Sequence, residues 1–184
     1  MAVWVMGGLA AAVVLYGILL YNRLVARRNQ VRNAWSQIDV QLKRRHDLVP
    51  NLVNTAKGYL AHEQGVLERV VRARQLAIGA GDDVAARAAS ENQLTGALRS
   101  LFALAEAYPD LKANQTMTAL HEELVSTENR IAFARQHYGD SVQGYNTTRE
   151  TFPSILMSGP FGFEEARLFE IELESERAVP EVRF

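Results

Sequence analysis

From Met1 to Leu20 the chain carries no charged side chain, and its largely apolar run from Val3 to Tyr21 matches the ~20 residues that cross a bilayer's hydrocarbon core. A secretory signal would begin with Lys or Arg and end in a small-x-small cleavage site directly before a polar mature start. Neither is present, and no Gly or Pro interrupts Ile18 through Leu24. The stretch therefore predicts a permanent span that continues into a soluble helix.

Behind it the apolar positions recur every seven residues. One column is Leu24, Val31, Ile38, Arg45, Leu52, Tyr59, Val66 and Ala73, and a second is Arg28, Trp35, Leu42, Val49, Ala56, Glu63, Val70 and Ala77. Such columns form a narrow seam that faces other helices. Beyond residue 50 the stripe widens to take in Val53, Leu60, Leu67 and Val71, so this half is expected to be covered on more than one side. Pro50 removes a backbone donor and crowds the preceding turn. Either a kinked continuous helix or a reversal at residue 50 fits the pattern.

Gly79-Ala80-Gly81-Asp82-Asp83 supplies a helix stop followed by an acidic N-cap. The next helix is expected over Val84 to Ala107, with Leu94, Leu98, Leu101, Phe102 and Ala105 on one side, ending before Pro109. A last long helix follows, with Met117, Leu120, Leu124, Thr127, Ile131, Ala134, Tyr138, Val142 and Tyr145 as its seam, until Pro153 ends it. A turn-rich apolar loop, Ser158 to Phe163, and an amphipathic stretch from Glu164 to Glu174 close the chain. The fold class is all-α: an N-terminal transmembrane helix, then an elongated antiparallel up-and-down four-helix bundle. The divisions are 1–22 for the span, 23–152 for the bundle, and 153–184 for the loop, short helix and tail.

Composition narrows the function. Lys plus Arg, 20, nearly balances Asp plus Glu, 21, so there is no basic excess to attract nucleic acid. With no cysteine, disulfides, thiolate metal sites and thiol nucleophiles are excluded. His62-Glu63 and His121-Glu122 each resemble the start of a zinc-protease helix, but Val66 and Val125 stand where the second histidine belongs. A glutamate three residues before an inward histidine, as di-iron bundles require, is also missing. No nucleophile elbow or phosphate-binding glycine motif occurs. The expectation is a protein without catalytic residues, metal or cofactor.

The remaining candidates concern membranes and partners. Trp4 and Tyr21 can sit at the two interfaces of the span, and Arg23, Arg27 and Arg28, with Arg32, follow it. Basic flanks stay in the cytoplasm, which predicts a single-pass membrane protein with its N-terminus outside and its bundle in the cytoplasm. A periplasmic bundle is the alternative. Lys43, Arg44 and Arg45 form the densest basic run, about 30 Å from the membrane at ~1.5 Å per residue. They read as a partner-docking patch or as a solvated face, with Arg45 placed on the seam to meet a carboxylate. Phe161 and Phe163 give the tail loop an apolar, docking character.

Several stretches together resemble one family. Tyr21-Asn22-Arg23-Leu24-Val25, Arg28-Asn29, the run Ala34 to Val53 with its Arg45-His46-Asp47-Leu48-Val49-Pro50-Asn51-Leu52, Lys57-Gly58-Tyr59, Ala73-Arg74, Tyr108-Pro109, Glu128-Asn129-Arg130-Ile131, Tyr145-Asn146, Phe152-Pro153 and the closing Pro180 to Phe184 are similar to the bacterial LemA family. The resemblance implies one N-terminal membrane helix, an antiparallel four-helix bundle and no established enzymatic activity. It includes a protein of the magnetosome membrane, and family genes neighbour those of membrane metalloproteases, which suggests such a protease as a partner.

The expected function is a membrane-anchored scaffold or adaptor that self-associates into a homo-oligomer or docks a membrane protein. The alternative is a membrane-remodelling or lipid-organising protein that gathers anionic membrane lipid with its Arg residues. A third reading is an enzyme with a composite site between subunits.

Overall fold

The computed structural model describes residues 1–81 and 83–169. Asp82, the far end of the Glu164–Glu174 stretch and the closing Pro180–Phe184 lie outside the described residues. The fold is all-α. Helices α1 (Ala2–Lys57), α2 (Gln64–Gly79), α3 (Val84–Ala105) and α5 (Gln115–Glu150) are the main elements, and α4 (Pro109–Lys112) and α6 (Ile155–Ser158) are single turns.

Helix α1 is continuous through Pro50. The chain reverses eight residues later, over Gly58 to Glu63, where the seven-residue columns of the sequence run on without a break. Gly58 lacks the side chain that would favour another helical turn, and the amides of Tyr59 and Leu60 both return to the Ala56 carbonyl. Leu60, fully buried, anchors the turn. At the next boundary Asp83 caps α3 by accepting from the Ala86 amide at 2.8 Å, as its place before an apolar-periodic stretch predicts. Asn114 caps α5 in the same way through the Met117 amide, 3.1 Å away.

The chain divides into two compact units. The first comprises Met1–Ile38 and Phe133–Leu168. In it the start of α1 and the end of α5 run in opposite directions: the Trp35 and Tyr138 rings lie 5.4 Å apart, and a Cβ placed on Gly144 would stand 3.7 Å from the Arg27 guanidinium. Leu24, Val31, Ala34 and Ile38 of α1 are buried here, with Tyr138, Val142 and Tyr145 of α5.

The second unit is built on Asp39–Ala132 and is a four-helix bundle. Its core joins Val49, Leu52 and Ala56 of α1, Leu67 and Val70 of α2, Leu94, Leu98 and Leu101 of α3, and Met117, Leu120 and Leu124 of α5. Polar contacts fix the directions. His46 meets Arg74, so α2 runs against α1. Asp39 meets Arg87 and Arg45 meets Glu91, so α3 runs with α1. Tyr59 meets Asn114 and Arg44 meets Glu123, so α5 runs against it. This is the up-and-down order that short connections favour.

Candidate functional site

The second unit buries charge at its centre. Arg45, on the apolar seam of α1, is 1% exposed, and Glu91 of α3 is fully buried. An unpaired charge in such a place is strongly unfavourable, and each group here is paired. Nη2 of Arg45 donates to Glu91 Oε2. Its Nη1 donates to Glu128 Oε1 on α5 and to Thr95 Oγ1 at 3.0 Å. The second Glu91 oxygen lies 2.9 Å from His46 Nε2. Burial alone would raise the Glu91 carboxyl, but the hydrogen bond from His46 and the charges of Arg45 and His46 outweigh it and hold the group below its ordinary range. Glu91 is therefore a carboxylate with both oxygens engaged. It joins α1 to α3 from a fully buried position.

Above this cluster Arg74 of α2 donates its Nε proton to the main-chain oxygen of His46 at 2.7 Å. That oxygen is the helical acceptor four residues before Pro50, which has no amide proton to offer it. The side chain thus replaces the hydrogen bond that Pro50 removes.

Beside the cluster a groove of about 470 Å³ opens between α3 and α5, lined by Leu98, Phe102, Leu124 and Val125 and rimmed by Arg99, Glu106 and Glu128. The His121 and Phe102 rings stack across it with centroids 4.3 Å apart. Among the described residues no three His, Asp or Glu side chains converge to hold a metal.

The basic run divides. Lys43 and Arg44 are exposed, with Arg44 paired to Glu123 at 2.8 Å, whereas Arg45 is turned into the core and is withdrawn from any surface patch.

In the first unit α1 is long and apolar enough to cross a membrane. Trp4 and Tyr21 are exposed at the start and end of its uncharged stretch. Arg23 is exposed, while Arg27 and Arg28 are half-buried, and the Arg28 guanidinium lies 5.1 Å over the Phe163 ring. Phe163 is buried and Phe161 exposed. Both meet Tyr21 edge-on, at 5.6 Å and 5.3 Å between ring centroids.

A clamp on α5 holds the chain that follows. Asn146 accepts from the Ala166 amide at 3.0 Å and donates to the Ala166 carbonyl at 2.9 Å, so its amide group imitates a strand partner. The Tyr145 hydroxyl donates to the Glu164 carbonyl at 2.7 Å and the Tyr138 hydroxyl to the Arg167 carbonyl at 2.8 Å. Burial raises both phenols above their ordinary values, which keeps them protonated donors.

Sequence reasoning passed over Glu91, and it named Arg74, Glu128 and Asn146 only within the stretches of the family resemblance, with no role for any of them. Glu91 had a signal, since residues 91, 94, 98, 101 and 105 follow the three-four spacing of a buried face. For Arg74 the signal was Pro50 itself, because a helical proline leaves an acceptor to be satisfied.

The family model of the LemA family matches residues 34–184. Among curated proteins the chain is 23% identical to the magnetosome protein MamQ of Magnetospirillum gryphiswaldense over 83% of its own length and 65% of that protein's. It is 24% identical to the magnetosome protein MamQ 2 of Paramagnetospirillum magneticum over the same shares. With the protein LemA of Metamycoplasma hominis it shares 24% identity over 71% of this chain and 60% of that one. The chain thus spans about 65% of the length of the magnetosome relatives it matches.

Proposed function

This chain belongs to the LemA family, and from that premise we propose that it is a membrane-anchored, non-enzymatic helical scaffold. The start of α1 crosses the inner membrane once, N-terminus outside, and holds the helical units at the cytoplasmic surface. There they self-associate or dock a membrane protein, with a membrane metalloprotease as one partner. The observation that carries this reading is the contrast between the two ends of α1. From Val3 to Leu19 its large apolar side chains are exposed, yet further along the same helix every seam residue from Ile38 to Ala56 is buried. A surface of that size needs a bilayer to cover it. The buried ionic groups are engaged with one another, which favours a binding role over a catalytic one. Confinement to a plane raises the effective concentration of weak lateral contacts.

Cross-linking with mass spectrometry in native membranes tests the proposal. Links between copies, or to one membrane protein, are expected from the surfaces that carry Lys43 and Arg44. Links confined to single chains, together with monomers at every concentration in detergent, would overturn the scaffold reading.

A further inference from the structure

The start of α1 is not the only apolar surface in the first unit. No charged side chain occurs from Thr151 to Phe163, and within that stretch Phe152 is 75% exposed, Leu156 66%, Phe161 54% and Ile155 48%. A water-facing turn ordinarily carries polar residues, so this concentration of exposed apolar groups requires a covering.

The turn is firmly built. Gly162, at φ +67°, takes the left-handed conformation that glycine alone adopts without strain. The next amide, of Phe163, then donates back to the Ser158 carbonyl at 2.9 Å. Phe163 is buried by this fold and Phe161 is left outside.

Its level along α1 identifies the covering. The Met157 methyl would stand 3.9 Å from a Cβ on Gly17, and Phe161 packs on Tyr21. Arg23 is the first charged side chain of α1, and Gly17 precedes it by about 9 Å of helix axis at ~1.5 Å per residue. Met157 therefore lies beside the apolar stretch well inside its end, at a depth like the ~5–10 Å typical of interfacial elements. Ile18 and Leu19 are exposed at the same level of the helix. Charges return on both flanks of the turn, at Arg149 and Glu150 before it and at Glu164 and Glu165 after it.

We infer that the turn from Phe152 to Phe161 inserts its apolar side chains into the leaflet that receives the end of the span, as a second, non-spanning membrane contact. The inference rests on the reading that the start of α1 crosses a bilayer. A lone helix can rotate and tilt in lipid, whereas a helix with a wedge fixed beside it presents one side to its neighbours.

The native absence of cysteine makes single labels direct. The full chain carrying Leu156→Cys, Phe152→Cys, Leu9→Cys or Val125→Cys is spin-labelled and reconstituted into vesicles of phosphatidylethanolamine and phosphatidylglycerol, and collisions with oxygen and with a water-soluble nickel chelate are compared. Labels at 156 and 152 are expected to favour oxygen several-fold over the Val125→Cys label, approaching the label at 9. Nickel access at 156 and 152 equal to that at 125, with 9 still in lipid, overturns the wedge and leaves the span intact. Nickel access at 9 overturns both. Protection of 156 from both reagents, with spin–spin broadening, would assign the surface to a second copy and also overturn the inference.

Discussion

The Nε proton of Arg74 points at the carbonyl oxygen of His46, the acceptor that Pro50 deprives of its helical donor. The proline and the arginine are far apart in sequence and solve one problem between them. Replacing Arg74 by Met keeps the apolar stem and leaves that carbonyl unsatisfied, which is expected to cost about 1–3 kcal/mol. In a Pro50→Ala background the restored amide makes the same replacement nearly harmless. Denaturant melts of the four chains of this cycle, in detergent, give the coupling directly. Equal losses in both backgrounds would show that Arg74 acts elsewhere.

Removing one member of the buried cluster is expected to be severe. Glu91→Leu leaves the Arg45 guanidinium buried without its main counter-charge, at a cost of about 3–5 kcal/mol. A joint Arg45→Met, Glu91→Leu variant should be markedly less damaged than Glu91→Leu alone. Circular-dichroism melts of the variants rank them.

The same carboxylate makes stability depend on pH. In the folded chain Glu91 titrates below its ordinary value of about 4.5, so the unfolded chain binds the proton first as pH falls. Its contribution is complete above pH 4.5 and disappears as pH falls from there through the depressed folded value. Melting temperatures measured from pH 7 down to pH 3 should fall less steeply for Glu91→Gln than for the native chain once pH drops below the ordinary carboxyl range.

The clamp on α5 predicts a local effect. The Ala166 amide is held by the Asn146 side chain, so Asn146→Ala should speed hydrogen exchange at Ala166 by several-fold to tenfold, for a loss of about 1 kcal/mol. Exchange at Leu94, in the core of the bundle, should be unaffected. Mass spectrometry of peptides covering both residues makes the comparison.

Much of the fold was legible because the bundle is written in periodicity. The seam from Leu24 through Ile38 to Leu52 is buried as its spacing requires, and Asp83 caps α3 where an acidic residue meets an apolar pattern. The reversal at Gly58 was hidden, since the columns resume on α2 at Val70, Ala73 and Ala77 as though no turn had intervened. Arg45 was legible as a seam residue with a carboxylate in prospect. Its partners were not, because Glu91 and Glu128 reach it only through tertiary packing. The tail clamp was invisible for a related reason, since Tyr145 and Asn146 bind backbone atoms and backbone atoms leave no pattern in side chains.

One guanidinium grips α3 through Glu91 and α5 through Glu128, and this has a consequence for how the bundle assembles. Leucine faces tolerate slippage, for a shift of one turn, about 5.4 Å, brings one apolar residue where another stood. A shift of α3 or α5 against Arg45 would instead strand a charge in the interior. The ionic knot is a key with a single slot: a misaligned bundle of the kind the repeating seams would otherwise permit carries the cost of an unpaired interior charge.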